Sequence, residues 1–133
     1  PPAERPLLSL CLIVRDEAER IGRCLDAALP IADEIVVVDT GSTDGTAAIA
    51  EAKGARVVPF VWIDDFAAAR NAALDAARGD WILMLDADEV LERPRPARLR
   101  TLLAEARDPA FTVDIAEILP SLASRFIFLT AVA

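Results

Sequence analysis

Short apolar runs that alternate with helix-like segments constrain the fold of this chain more than any other feature of its sequence. The first and the last of these runs are almost continuously apolar, which is typical of strands buried in a parallel sheet. The runs are Leu8–Val14, Glu34–Val38, Arg56–Trp62 and Trp81–Leu85. Pro59 cannot donate a backbone hydrogen bond, so it places the third strand at an edge of the predicted sheet.

The segments between these runs carry helix signals. Apolar residues recur at helical spacing from Ile21 to Leu29, and Pro30 ends that pattern. Further helices are predicted at Thr46–Lys53, capped by Ser42, Thr43 or Asp44; from a cap at Asp64 or Asp65 to Arg78; and at Ala97–Arg107. Phe111–Ile118 fits either a strand or a helix. The strand–helix order with short connections predicts an α/β fold with a doubly wound, mostly parallel sheet.

Composition and charge exclude several classes of function. The 133 residues are 54% hydrophobic, as in a single globular domain, and the net charge of −8 offers no basic surface for nucleic acid. Histidine is absent, which removes the commonest general base and zinc ligand. Cys11 and Cys24 lie on apolar faces and are predicted to be buried free thiols. The late apolar run, Phe126–Ala133, is too short to span a bilayer, so no transmembrane segment is predicted.

The parallel topology gathers acidic side chains at one edge of the sheet. Val14, Asp39 and Asp86 all come at or just after the carboxyl ends of predicted strands, where open α/β sheets bind ligands. Asp86 and Asp88 are separated by one residue, and carboxylates are the ligands that Mg²⁺ or Mn²⁺ prefers. This pair therefore predicts a metal-bridged phosphate ligand.

Two other segments leave alternatives open. The turn from Thr40 to Gly45 can either bind an anion through its amides or serve as an ordinary capping turn. It lacks the Gly-Lys-Ser/Thr of a P-loop, and no Gly-x-Gly-x-x-Gly follows the first strand. Arg70, about one and a half turns inside its helix, either faces solvent or points to the acidic edge.

Four motifs together resemble the family 2 glycosyltransferases, and most closely the bacterial branch of lipooligosaccharide-core glucosyltransferases. The matching segments, which span about residues 8–92, are Ser9–Glu17, Glu34–Thr46, Asp65–Asn71 and Gly79–Glu89. The resemblance implies a GT-A fold in a single domain over residues 1–133. Residues 7–92 would form the nucleotide-sugar-binding half, and 93–133 an incomplete or divergent remainder. The chain starts without methionine and stops in an apolar run, so we expect it to be a truncated, amino-terminal piece.

The resemblance also implies which ligands bind and where in the cell the enzyme works. The donor would be a nucleotide-diphospho-sugar held with Mn²⁺ or Mg²⁺, and the acceptor a glycan or lipid-linked glycan in cell-surface synthesis. The enzyme would work in the cytoplasm, at or near the inner face of the membrane. The implied roles are the nucleotide edge for Val14 and Glu17, the base for Asp39, the base or diphosphate for Arg70, the ribose for Asp86, and the metal for Asp88 with Asp86.

The chain departs from the family pattern in two places. Many members have a second Asp where this chain has Thr40, and the acceptor half with its catalytic carboxylate has no recognisable counterpart here. Asp114 and Glu117 are the late acids, and neither has a convincing context, so donor binding without full transfer is expected. Two other interpretations are a non-catalytic nucleotide-binding fragment and a haloacid-dehalogenase-type phosphatase with Asp86 as nucleophile. The latter needs its motif on the first strand and a later lysine, whereas the sole lysine, Lys53, precedes Asp86.

Overall fold

The fold alternates strands and helices as the sequence predicts. The computed structural model describes residues 6–91, 95–105 and 128–131. Its elements are β1 (Leu8–Val14), α1 (Ala18–Ala28), β2 (Glu34–Asp39), α2 (Thr46–Ala52), β3 (Arg56–Pro59), α3 (Phe66–Ala76), β4 (Trp81–Met84), α4 (Pro96–Glu105) and β5 (Phe128–Ala131). Phe111–Ile118, Asp114 and Glu117 lie outside the described residues.

The five strands form one sheet in the order β3-β2-β1-β4-β5. The first four strands are parallel, and β5 runs antiparallel to β4. The predicted doubly wound, mostly parallel sheet is thus confirmed, as is the edge position of β3. β5, which covers part of the late apolar run, is not among the strands predicted from the sequence.

Helices cover both faces of the sheet, which explains why β1, β2 and β4 are largely apolar and buried, whereas the edge strand β3 is at most partly buried. One face packs against α1, α2 and α4 through a core that includes Leu10, Leu25 and Leu103. The other face packs against α3, where Ala73 meets Val36 and Ile82. Cys11 and Cys24 are buried and free, as predicted.

Two elements end two or more residues earlier than their sequence pattern indicates. The strand predicted to reach Trp62 stops at Pro59, because β2, its one neighbour among the described strands, ends at Asp39. The carbonyl of Asp39 is the last acceptor that β2 offers, and it accepts from the amide of Phe60 (2.8 Å). The helix predicted to reach Arg78 stops at Ala76. The amide of Arg78 instead donates to Oε2 of Glu34 (2.8 Å), a tertiary contact that outweighs helix continuation.

Helix α4 is tied to the sheet by polar contacts as well as by apolar ones. An Arg100 guanidinium nitrogen lies 2.6 Å from Oδ1 of Asp33, and the indole N–H of Trp81 donates to the carbonyl of Leu103 (3.2 Å). Leu99 and Leu103 of this helix are buried against the sheet. These contacts fix the helix that follows the acidic segment after β4.

Glu34 organises the amino-terminal end of the sheet. Its side chain is only 8% exposed and lies 3.1 Å from both Arg56 and Arg78, while the hydroxyl of Ser9 donates to it at 2.6 Å. Burial by itself raises the pKa of Glu34, but the hydrogen bonds from Ser9 and Arg78 and the positive charge of Arg78 outweigh it and bring the pKa below its ordinary value of 4.5.

We predict that Glu34→Gln lowers the free energy of unfolding at pH 7 by about 1–3 kcal/mol, because two ion pairs and charge-assisted hydrogen bonds are lost. A depressed pKa contributes stability above the unfolded-state pKa, and that contribution disappears as the pH falls through the folded-state pKa. The difference in free energy of unfolding between wild type and variant should therefore become smaller below about pH 4.5. Urea unfolding from pH 7 to pH 3 measures this, with Asp75→Asn on exposed α3 surface as control. If the difference in free energy of unfolding were the same at pH 3 as at pH 7, the variant would be destabilised by poorer packing and not by loss of the Glu34 charge.

Candidate donor-binding site

The strand order creates a crevice at the carboxyl edge of the sheet. The chain leaves β1 toward β2 and β3 on one side and returns to β4 on the other, so the topology switches between β1 and β4. Ligands of doubly wound sheets bind outside such a switch point. Arg15–Glu17 follow β1, Asp39 ends β2, and Asp86–Asp88 follow β4, so the predicted residues lie on the same edge of the sheet.

Asp39 is held rigidly at the end of β2. The residue is 9% exposed, and its Oδ1 accepts from the amides of Gly41 (3.0 Å) and Ser42 (2.8 Å). Its backbone pairs with Val14 on one side and Pro59 on the other. The orientation of the carboxylate is therefore set before any ligand arrives.

Val14 and Thr40 form one structural unit next to Asp39. Both the amide and the hydroxyl of Thr40 donate to the carbonyl of Val14, at 3.0 and 3.1 Å. Val14 is 2% exposed and Thr40 7% exposed. The Val14 carbonyl is thus occupied by the chain itself, and Thr40 does not offer the acceptor that a second Asp would.

A set of hydrogen bonds that we call the loop clasp joins the loop after β1 to the turn after β2. Oδ1 of Asp16 accepts from the Thr43 amide (2.7 Å), while the Asp16 amide donates to Oγ of Ser42 (2.9 Å). Asp16 has φ of 53°, a left-handed conformation that Asp tolerates better than most residues. Oδ2 of Asp44 accepts from the Ala18 amide (3.1 Å), and Oδ1 accepts from the Thr46 amide (3.1 Å).

The loop clasp resolves the open interpretation of the Thr40–Gly45 turn. The amides of Gly41 and Ser42 donate to Asp39, that of Thr43 to Asp16 and that of Thr46 to Asp44. The structure supports the capping-turn alternative, because carboxylates of this chain take the place that an external anion would have. The predicted cap is wrong, since Gly45, at φ of 88°, is the residue that precedes α2.

A cleft of about 820 Å³ opens beside Asp39. Its apolar wall comes from β3 and the following segment, and its polar lining residues are Arg15, Asp39, Thr40, Ser42 and Glu51. Among the described residues no carboxylate pairs with Arg15, which is the sole cation of this lining. The cleft therefore combines an apolar wall with one guanidinium group and two carboxylates.

The segment after β3 supplies aromatic groups to the mouth of this cleft. Trp62 lines the cleft, and its indole N–H donates to Oδ1 of Asp64 (2.9 Å), which holds the ring in place. Asp65, not Asp64, caps α3 by accepting from the amide of Ala68 (3.2 Å). The two candidate caps of the sequence thus have separate functions.

The acidic segment after β4 lies over α1. Asp86 and Asp88 are exposed and alternate with buried Leu85 and Ala87, so both carboxylates face solvent. The thiol of Cys24 donates to the Asp86 carbonyl at 3.5 Å. Burial first, and then the charges of the acids that follow β4, raise the pKa of Cys24 to about 12, so this thiol stays protonated.

Asp86 and Asp88 are suitable ligands for a hard divalent cation whose coordination shell also includes phosphate oxygens. In the part of the chain that the structure describes, no three His, Cys, Asp or Glu side chains converge into a complete metal cage. Mg²⁺-type sites with nucleotide substrates typically use one or two carboxylates and complete the shell with phosphate oxygens and water. Two exposed carboxylates at the switch point match that pattern.

Glu17 and Arg70 have structural partners in addition to their predicted roles. Oε2 of Glu17 lies 2.7 Å from Nε of Arg20, and the Glu17 amide donates to the hydroxyl of Thr46 (2.9 Å). This Glu17–Arg20 pair raises the pKa of Arg20, and the charge of Asp88 adds to the effect, so Asp88 lies within electrostatic reach of the pair. Arg70 is exposed, with its guanidinium 5.4 Å from the centre of the Phe66 ring, and does not line the cleft.

Sequence reasoning missed the functional potential of Arg15, Phe60 and Trp62. Arg15 directly follows β1, and that position alone could have placed it at the carboxyl edge of the sheet. The sequence pattern places Phe60 and Trp62 in the third strand, and therefore within the sheet. Their contribution to the cleft follows from the early end of β3, which no local signal reveals.

Comparison with known proteins identifies what the chain resembles. The profile of the family described as "Glycosyl transferase family 2" matches residues 9–125. A TPR repeat-containing protein of Synechococcus elongatus is 53% identical over 106 residues, which cover 80% of this chain and 26% of that protein. The chain thus spans about a quarter of the length of this curated relative.

Solved structures of two enzymes share the fold. Glucosyl-3-phosphoglycerate synthase from Mycobacterium tuberculosis, in complex with Mn²⁺, uridine diphosphate and glucosyl-3-phosphoglycerate, is 31% identical with a TM-score of 0.58, over 77% of this chain and 39% of that one. A mannosyltransferase from Pyrobaculum calidifontis, in complex with GDP-Man and Mn²⁺, is 28% identical with a TM-score of 0.63, over 81% and 34%. Within the described residues, no helix is both long and apolar enough to cross a membrane.

Proposed function

The chain belongs to glycosyl transferase family 2, and from this premise we propose that it binds a nucleotide-diphospho-sugar together with a divalent cation. The observation that carries the proposal is the placement of Asp39 and of the Asp86–Asp88 pair at the carboxyl ends of β2 and β4. Both strands are neighbours of β1, so two strand spacings, about 10 Å, separate these ends. An extended nucleoside diphosphate can bridge such a distance.

In this proposal each end of the site holds one end of the nucleotide. Asp39 accepts a hydrogen bond from the base, which lies against the apolar wall of the cleft. Asp86 would contact the ribose, and Asp88, helped by Asp86, would hold Mn²⁺ or Mg²⁺. When bound, the cation would stabilise the charge of the departing nucleoside diphosphate as a Lewis acid.

The remaining predicted residues support this arrangement indirectly. Val14 fixes Asp39 through the strand pairing, and Glu17 fixes the first turn of α1 beside the acidic segment. Arg70 is exposed on α3, with its guanidinium over the Phe66 ring. We propose that the guanidinium moves from this ring to contact the base or the diphosphate.

For the longer protein, we propose transfer of the sugar to a glycan or lipid-linked acceptor in cell-surface glycan synthesis. Resemblance to the lipooligosaccharide-core branch supports this assignment and a cytoplasmic position at the inner face of the membrane. Residues 7–92 would be the donor-binding half, and 93–133 an incomplete or divergent remainder. The acceptor half and its catalytic carboxylate would be supplied by chain beyond this piece.

Calorimetric titration of the 133-residue chain with UDP and GDP, with and without Mn²⁺, tests the proposal. We expect binding that strengthens when Mn²⁺ is present. Absence of metal-dependent binding for both nucleotides would refute it, and acid-labile phosphorylation of Asp86 would favour the phosphatase instead. A sugar-transfer assay on the full-length protein then separates an enzyme from a non-catalytic nucleotide-binding protein.

A further inference from the structure

The residues Asp86–Glu89, which follow β4, form a tight turn that we call the acidic turn. Two hydrogen bonds between its first and last residues close it. The amide of Glu89 donates to the carbonyl of Asp86 (3.0 Å), and Oε1 of Glu89 accepts from the amide of Asp86 (3.3 Å). The second bond has the form of a capping box, in which a Glu reaches back to the amide three residues before it. Glu89 thus holds the backbone of Asp86 through both its N–H and its C=O.

Glu89 differs from the other two acids of the acidic turn in the direction of its side chain. Asp86 and Asp88 are exposed, and they alternate with buried Leu85 and Ala87. Glu89 is half-buried, and its Oε2 is shielded from solvent. Two carboxylates of the turn therefore face the crevice at the carboxyl edge of the sheet, whereas the third faces the fold.

This arrangement leaves the Asp86 carboxylate available to a ligand. An Asp at the start of a turn commonly accepts from the amides that follow it, and Asp39 does so from Gly41 and Ser42. In the acidic turn the Asp86 carbonyl takes the amide of Glu89 instead. Within the described residues, no hydrogen bond of the Asp86 or Asp88 carboxylate is seen.

Buried parts of the fold anchor the acidic turn on either side of this point. The amide of Leu85 donates to the carbonyl of Cys11 in β1 (3.0 Å), and the thiol of Cys24 in α1 donates to the Asp86 carbonyl (3.5 Å). Ala87 belongs to the apolar core. Glu89 adds the restraint on the Asp86 amide, which lies between these anchors.

We propose that Glu89 is a positioning residue for the cation: it holds the acidic turn in the shape that presents Asp86 and Asp88, and does not itself bind the metal. This proposal rests on the proposed function and deepens it. Ligands of metal sites commonly depend on such supporting hydrogen bonds, and loss of one costs about 10- to 100-fold in metal affinity.

Two conservative variants separate the hydrogen bond of Glu89 from its charge. Glu89→Gln keeps an acceptor oxygen at the same reach and removes the charge. Glu89→Asp keeps the charge but is one methylene group shorter, and the present distance of 3.3 Å is already at the long end for this kind of bond. The proposal therefore predicts that Glu89→Asp is the more harmful change.

Calorimetric titration with Mn²⁺ and either UDP or GDP, whichever the wild type binds more tightly, measures the effect. We expect Glu89→Asp to weaken Mn²⁺-dependent binding at least about 10-fold, and Glu89→Gln to weaken it less than about 3-fold, because a neutral acceptor keeps part of the bond. Electron paramagnetic resonance on the same samples counts the bound Mn²⁺, which should fall in Glu89→Asp and not in Glu89→Gln.

Three results would overturn the proposal and leave the proposed function intact. A larger loss in Glu89→Gln would show that the charge of Glu89 acts on the cation directly. Equal losses in both variants, or no loss in either, would show that the hydrogen bond to Asp86 does not position the metal ligands. If the wild type bound neither nucleotide in a Mn²⁺-dependent way, the proposed function would fail together with this proposal.

Matched controls separate positioning from general stability. Glu19→Gln and Glu19→Asp make the same chemical changes on exposed α1 surface and should leave the affinities unchanged. All four variants should keep the wild-type midpoint of thermal unfolding. A midpoint lowered in Glu89→Asp alone would mean that Glu89 stabilises the fold as a whole, which would contradict a role confined to the cation site.

Discussion

Asp88→Ala is expected to reduce the Mn²⁺-dependent part of nucleoside-diphosphate binding at least about 100-fold. In the proposed site this carboxylate is the principal protein ligand of the cation, and loss of even a supporting residue of a metal site costs about 10- to 100-fold. Asp88 is exposed, and no hydrogen bond of its side chain is seen among the described residues. Its removal should therefore change the free energy of unfolding by no more than about 0.5 kcal/mol.

Calorimetry with UDP and with uridine, each with and without Mn²⁺, measures this effect. Uridine has no phosphate, so Asp88→Ala should leave its affinity unchanged, whereas Asp86→Ala should weaken uridine as well through the ribose. Asp75→Ala removes one negative charge from exposed α3 surface and serves as control for the net charge. Undiminished Mn²⁺-dependent UDP binding by Asp88→Ala would show that the metal is held elsewhere.

Gly79→Ala is expected to lower the free energy of unfolding by about 2–4 kcal/mol. An added Cβ would lie 2.5 Å from Oγ and 2.8 Å from the backbone nitrogen of Ser9, in the central strand β1. The hydroxyl can rotate away, but the strand backbone cannot move without disturbing its pairing with β2 and β4. Overpacking of this kind costs about 1–3 kcal/mol, and the hydrogen bond from the Gly79 amide to Ser9 (2.8 Å) is lost as well.

Gly22→Ala is the matched control. An added Cβ there has Ile49 as its nearest neighbour at 3.8 Å, an ordinary contact, and Gly22 lies inside α1. Alanine favours helix by about 1 kcal/mol over glycine, so this variant should be as stable as wild type or more stable. Urea denaturation of both variants measures the difference. If both variants lost similar free energy of unfolding, the cause would not be the lack of room for a side chain at Gly79.

The main elements of the fold could be predicted because local pattern and tertiary structure agree there. β1 has the predicted bounds, and β2 differs only by inclusion of Asp39. The errors occur where a distant partner decides the outcome. β3 stops when β2 offers no further acceptors, α3 stops when Glu34 binds Arg78, and β5 is a strand only because β4 is there to pair with it.

The candidate site was predictable in its positions and not in its contacts. Carboxyl ends of parallel strands share an edge, so Asp39 and Asp86 could be placed on that edge from the sequence. The hydrogen-bond partners of the nearby loop residues could not be predicted, because Asp16 and Asp44 accept from amides about 26 residues away along the chain. Arg70 shows the same limit, since its contact with Phe66 is local but its role toward a ligand stays a prediction.

The loop clasp has a consequence for the entropy of ligand binding. In the clasp and the turn beside it, the amides of Thr43, Gly41 and Thr46 are held by the carboxylates of Asp16, Asp39 and Asp44 respectively. A flexible loop that orders on contact spends part of the interaction free energy on its own immobilisation. Here the folded chain already holds the turn, so little of the free energy of ligand contacts is spent on ordering it. The turn beside Asp39 therefore takes its shape when the chain folds, and a ligand need not impose it.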